Sequence, residues 1–387
     1  MKKMKWFLAA AILLASILPA TSANRKKEKS AAQEKQIAAY AVGFYNLENL
    51  FDTVHAEGKK DFDFLPDGSY KWNTLKYESK LKNLSMVLSE MGTNKIKAGL
   101  AVCGVSEVEN RKVLDDLLQQ ESLRERKWRV MHFPSPDRRG VGCGLFYNPR
   151  FFTLEDSLYV YCIFPNDSTS QQPVGFTQGD DNVIKPTPLY GDTTRITRGF
   201  LVGIGRLAGE RMAIIVNHWP SRFSPSETRE EAGRQVYALK EALLRQYPGI
   251  KIVIEGDLND DPNNKSVTEG LKAVSETSDV RDEHSLYNPW YNMLYKTGQG
   301  TLMYQGKWNL FDQIIISGNL INGSDYSTLS YRTNEVFLRD YLIQQDGKYK
   351  GSPLRTTAGG TWLNGFSDHL PTIVYLVKDE KIFTKLS

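Results

Sequence analysis

Short apolar runs recur along most of the chain, broken in a few places by helical spacing. Residues 37–45 predict an opening strand. Residues 74–91 place Leu81, Leu84, Val87 and Leu88 on one stripe and predict a surface helix. Residues 98–105 read as a buried strand, 109–119 as a helix and 128–132 as a strand. Two more strands are expected at 143–147 and 158–164. Residues 166–197 are rich in Asp, Thr, Gly and Pro, which predicts a long surface loop. Strands follow at 199–205 and 212–217. Ser224-Pro225-Ser226-Glu227 then marks a helix start, with Ser at the N-cap, Pro in the first turn and Glu three residues on. Ala232, Val236, Leu239 and Leu243 continue that helix, and Pro248-Gly249 stops it. Strands at 251–255, 311–317 and 372–377 complete the set, with further long loops at 277–308 and 318–366. No internal repeat is evident. Strands and helices interleave, and several strand pairs lack a helix between them. That pattern fits two mixed sheets packed together and flanked by helices.

The first stretch differs from the rest. Lys2, Lys3 and Lys5 precede an apolar run at residues 6–18, and Thr21-Ser22-Ala23 offers small residues for cleavage. The run falls short of the about 20 apolar residues of a membrane span. Residues 1–23 are expected to be a signal peptide, 24–36 a flexible tail and 37–387 one domain. The mature protein is expected to be exported, periplasmic or extracellular, with no stable membrane insertion. A retained N-terminal anchor is the alternative.

Composition narrows the class. With 41% hydrophobic and 24% charged residues, the chain is neither disordered, collagen-like nor a disulfide scaffold. Its 387 residues allow a large core. The formal charge of +4 hints at an acidic partner, but it becomes +1 without residues 1–23 and −2 from residue 36 onward. Cys103, Cys143 and Cys162 lack CxxC spacing, and Cys103 and Cys143 lie in apolar runs, so these two are expected to be buried small hydrophobes.

Six segments carry polar residues at strand ends. They are Phe44-Tyr45-Asn46, Ser106-Glu107-Val108, Asn217-His218-Trp219, Gly256-Asp257-Leu258-Asn259, Leu310-Phe311-Asp312 and Ser367-Asp368-His369. Each alone has an ordinary explanation: a turn, a cap, a helix N-terminal acid. Polar groups leaving apolar strands are costly unless something binds them. Six in one chain point to a shared site.

In this order the motifs resemble the endonuclease/exonuclease/phosphatase superfamily, the deoxyribonuclease I-like fold, over residues 38–377. The resemblance implies an α/β fold, a four-layer sandwich of two mixed β-sheets flanked by helices. It implies hydrolysis of phosphate esters with Mg2+ or Mn2+. Carried over, Glu107 is the main metal ligand, with Asn46 and Asp368 beside it; Asn46 also counts among the substrate-binding residues. His369 activates water or contacts the scissile phosphate, and Asp312 orients it. Asp257 and Asn259 bind or activate nucleophile and phosphate. His218 donates to a phosphate oxygen or protonates the leaving group, and Arg198 clamps phosphate. Hard oxygen ligands suit such a cation, and an acid behind an imidazole fixes its tautomer.

Glu109 and Glu48 lie close enough in sequence to compete with Glu107 and Asn46. His55, His132 and His284 match no motif and are expected to be surface or satisfied histidines. Residues 304–308 and 355–362 are expected either to line the substrate rim or to pack. Lys59, Lys60, Lys71, Lys76, Lys80 and Lys82 read as a solvated face. The expected activity is an exported phosphodiesterase acting on nucleic acid or nucleotides. The alternatives are a phospholipid or small-phosphoester hydrolase and, more remotely, a silent binding protein on the same fold. No protein partner is implied.

Overall fold

The computed structural model describes residues 37–165, 176–178, 183–186, 194–323 and 325–379. The expected leader and tail lie outside the described residues. The six-stranded sheet runs, edge to edge, through Ser330–Val336, Thr372–Asp379, Ile37–Leu50, Leu100–Val108, Gly142–Tyr147 and Arg129–His132. Ile37–Leu50 pairs antiparallel with Thr372–Asp379, with Ile37 opposite Asp379, and parallel with Leu100–Val108. The nine-stranded sheet runs through Ala273–Val274, Leu286–Tyr287, Asp312–Ser317, Lys251–Asp257, Glu210–His218, Thr194–Leu207, Phe152–Pro165, Val183–Pro186 and Phe176–Gln178.

The sheets face each other. Val42, Phe44, Leu145, Val216, Val253 and Ile314 share the core between them. Alternation along Lys251–Asp257 sends Val253 into that core and Ile252 and Ile254 to the other face. There Ala232, Val236 and Leu243 of the helix Ser226–Gln246 cover them. The helices Thr74–Glu90 and Arg111–Leu118 bury Leu81, Leu84, Leu88, Val113 and Leu114 and cover the six-stranded sheet. The result is the four-layer sandwich.

Several expectations need correction. Ser224 is not the N-cap: the long helix starts at Ser226, with Pro225 before it and no side-chain cap. A residue preceding proline is pushed out of the helical region. The expected loop 166–197 contains the strands Phe176–Gln178 and Val183–Pro186 and the start of Thr194–Leu207. The expected loop 277–308 holds the helix Trp290–Thr297, and 318–366 holds the edge strand Ser330–Val336. Lys80 is not solvated. It is fully buried, donating to Thr356 Oγ1, and burial lowers its pKa to about 8 against nearby carboxylates. His132 is neither at the surface nor satisfied: its Nε2 is buried without a partner, and burial lowers its pKa to about 4. The three cysteines are buried and free.

Glu255 is the odd member of the inter-sheet core. It is fully buried, neither carboxyl oxygen has a hydrogen-bond partner, and a Cβ on Gly104 would come within 2.2 Å of Oε1. Burial pushes its carboxyl well above the usual range. A raised folded-state pKa withdraws stability as pH rises above the unfolded value of 4.5. An unsatisfied buried polar group costs about 1–3 kcal/mol. Glu255→Met is therefore expected to raise unfolding free energy by about that amount in urea at pH 7.5, and by less at pH 4.

Candidate active site

Backbone register builds half of the site. Asp257 ends its strand opposite His218 on the parallel neighbour and opposite Asp312 on the antiparallel one. Residues in register on adjacent strands point to one face, so the three side chains converge. The opposing sheet supplies Asn46 and Glu107. The ladder slips between Ser106 and Val108, and Glu107 takes φ +60°. Such a bulge re-aims a side chain. Glu107 Oε1 accepts from Asn46 Nδ2 at 3.3 Å, and Oε2 accepts from the Asn49 N–H at 2.9 Å. Asn46 Nδ2 also reaches Asp257 Oδ2 at 3.0 Å, which ties the sheets together.

The loop before the last strand delivers His369. Ser367 Oγ donates to Asn46 O at 2.7 Å and accepts from the His369 N–H at 3.1 Å. His369 Nδ1 bonds Asp312 Oδ2 at 2.7 Å, and Nε2 lies 3.9 Å from Asp257 Oδ2. His218 Nε2 lies 3.7 Å from Glu107 Oε1 and 3.9 Å from Asp257 Oδ2. The Asn259 N–H donates to Asp257 Oδ1 at 2.9 Å, while its side-chain amide donates to Trp219 O at 3.0 Å.

The environment drives the two histidines apart. Burial lowers His218 well below the usual histidine range, and Arg198, Arg139 and His369 add to this. Burial also works against the charge on His369, but Asp312 and then Asp257 overcome it and hold the imidazolium. Burial raises Asp257 to about 7; Asp312 and Glu107 push the same way and His369 opposes. Opposed protonation states in one site mark acid and base partners.

Of the residues singled out from sequence, Asn46, Glu107, His218, Asp257, Asp312 and His369 come together. Asp368 lies at the edge of this group: Oδ2 accepts from Arg355 Nη2 at 2.9 Å, and Oδ1 is 4.0 Å from His369 Nε2. Arg198 pairs with Asp137, which also binds Arg139 at 3.1 Å. Glu109 turns away and accepts from the Asp52 N–H at 2.7 Å. Glu48 is buried, its N–H donates to Asn46 Oδ1 at 2.9 Å, and its carboxylate receives Arg355 Nε at 3.2 Å. His55 and His284 are held by Asp61 and Glu241.

Sequence reasoning passed over Arg139 and Arg222 and left Arg355 unassigned. Arg222 packs 4.2 Å over Phe311 and donates to Asn259 O at 3.1 Å, so it braces the loop bearing Asn259. Its position four residues after His218 was the available signal. Arg138-Arg139 before a Gly-rich strand was the signal for Arg139.

Two sheets meeting at such a site define a phosphoesterase architecture. The sequence profile described as "Endonuclease/Exonuclease/phosphatase family" matches residues 41–174 and 183–378, and the chain belongs to that family. No curated protein matches by sequence. Among solved structures, an endonuclease/exonuclease/phosphatase family protein from Bacteroides thetaiotaomicron is similar at TM-score 0.51 and 15% identity, over 90% of this chain and 98% of that one. A mannosyl-6-phosphatase of the same organism is similar at TM-score 0.50 and 15% identity, over 87% of this chain and 99% of that one. These likenesses show the shared fold.

Proposed function

We propose that this family member is a divalent-metal-dependent hydrolase of phosphodiester bonds in nucleic acid or nucleotides. One observation carries the reading: Asp257 sits between a cationic His369 and a neutral His218, across from Glu107. The donor set fits Mg2+ or Mn2+. Glu107 and Asp257 bring carboxylate oxygens together beside His218, Asp368 offers another at the edge, and Asp312 Oδ1 is buried without a partner in a site crowded with carboxylates. Glu107 would hold the ion, with Asn46 and Asp368 beside it. When bound, the ion neutralises charge on the phosphoryl oxygens.

The chain's own groups do the rest. Asp257 Oδ2 takes the proton of the attacking water. His369 Nε2 donates to the phosphoryl group and gives its proton to the leaving oxygen as the ester P–O bond breaks, and Asp312 holds that imidazole charged and oriented until then. His218 donates from a neutral ring, with Arg198 and Arg139 behind it supplying positive field. A second reading, hydrolysis of a small phosphoester, draws support from a cavity beside Asn49. No described helix is long and apolar enough to cross a membrane. We further propose export, supported by the basic start and apolar run of residues 1–23; N-terminal sequencing of the secreted protein should begin near Asn24.

The test is a panel of plasmid DNA, RNA, bis-p-nitrophenyl phosphate and sphingomyelin with Mg2+, with and without chelator. Cleavage of nucleic acid or the aryl diester, lost on chelation and restored by Mg2+, is expected. Turnover of sphingomyelin alone would end the nucleic-acid reading. Glu107→Gln should raise the Mg2+ concentration for half-maximal activity by about tenfold or more, because even losing an outer-shell partner of a metal site typically costs about 10–100-fold in affinity.

A further inference from the structure

A cavity of about 110 Å³ opens beside Glu48 and Asn49, just after Asn46 in the chain, and is lined by these two with Tyr70, Trp72, Arg355 and Thr357 among others. Two of its walls are wired to the candidate metal ligands. The Asn49 N–H holds Glu107, and the Glu48 N–H holds Asn46. A phosphate at Glu107 would therefore lie next to a residue of the cavity wall, Asn49.

The lining is built rather than incidental. Phe51, Phe64 and Tyr70 form a pile of rings, with centroids 4.4 and 4.9 Å apart. Trp72 is fully buried, edge-on to Phe64 at 6.0 Å and to Trp362 at 5.7 Å, with its Nε1 bonded to Phe51 O. Arg355 is fixed by Glu48 and Asp368 through Nε and Nη2, which leaves Nη1 open. Asn49 sits at φ +55°, a conformation Asn tolerates better than most residues. Among the described residues, the Asn49 side-chain amide, the Thr357 hydroxyl and the Tyr70 hydroxyl have no hydrogen-bond partner in the protein. Unpaired donors and acceptors around one aromatic face match a ring that bears several hydroxyls. Its C–H face meets the negative face of the aromatic, and its hydroxyls meet the polar ends. A purely apolar group would leave those ends unpaired, at a cost.

We propose that this cavity is the subsite for the hydroxylated sugar ring attached to the phosphate, and that it sets substrate preference. The proposal rests on the phosphoester-hydrolase reading. The ring can come from a nucleotide or from a hexose phosphate, and the experiment separates the two. With Mg2+ present, kcat/KM is measured for bis-p-nitrophenyl phosphate, which has no sugar, for the p-nitrophenyl ester of uridine 5′-phosphate, whose ribose keeps two hydroxyls, and for glucose 6-phosphate. One sugar-bearing substrate should be favoured over the aryl diester. Tyr70→Leu and Thr357→Val should each shrink that preference by about tenfold. An equal fall for all substrates, or no sugar preference in the parent, overturns the subsite.

A second readout needs no turnover. Quenching of Trp fluorescence by ribose and by methyl glucoside is followed in the parent and in Tyr70→Leu. Saturable quenching lost in the variant supports the cavity, and its absence from the parent counts against it. Sugar binding without cleavage of any phosphoester would sink the hydrolase reading and, with it, the subsite's role in substrate preference, leaving only a sugar-binding cavity.

Discussion

Asp257→Asn should lower kcat for bis-p-nitrophenyl phosphate by roughly 10²–10⁴-fold, the range for losing a positioned acid or base. Asp257 is where both sheets and both histidines meet. Its Oδ2 faces His369 and His218 and accepts from Asn46. Asn keeps the size and can still accept the Asn259 N–H, but it cannot take a proton. The melting temperature should stay near that of the parent, which separates lost chemistry from lost folding. Burial raises the Asp257 pKa, so the parent's rate should climb with pH as this group sheds its proton. That rise should vanish in the variant. Near-normal turnover by Asp257→Asn would remove the residue from the mechanism.

Asp312→Asn should have the second largest effect, again about 10²–10⁴-fold in kcat, without Asp312 touching substrate. Its Oδ2 bonds His369 Nδ1 at 2.7 Å and is the main force holding the imidazolium against burial. With that charge gone, the His369 pKa falls, and the protonated donor is lost at lower pH. The alkaline limb of the pH–rate profile should therefore move to lower pH. A uniform drop with an unmoved limb would mean that Asp312 only holds the fold together. Measuring both limbs with and without added Mg2+ completes the comparison.

The strand-end motifs were legible because chemistry and register coincide. An apolar run that stops at Asp257, and others that end at His218 or begin at Asp312, predict side chains at one sheet edge. Alternation could not reveal the slip at Glu107, because a bulge is settled by the neighbouring strand rather than by local pattern. Ser330–Val336 escaped notice for a related reason. It is an edge strand with one partner, and its residues Arg332, Asn334 and Glu335 give no apolar alternation. Arg139 and Arg355 lie in irregular segments without period, and only folding shows the carboxylates that fix them. Lys80 deceived because Lys71 and Lys82 of the same run are exposed, while its own position on the helix faces Thr356.

The pairing of Ile37–Leu50 with Thr372–Asp379 has a consequence for biosynthesis. The strand Ile37–Leu50 gains its antiparallel partner only after Thr372–Asp379 has been made. Ser367 reaches back 321 residues to grip Asn46, and His369 comes with it. A ribosome-bound chain short of this point has Asp257 and Glu107 but neither the imidazolium nor the closing strand. Contacts of such long range also form late in folding. Chain order alone thus withholds His369 from the other site residues until the segment from Ser367 to Asp379 has been made.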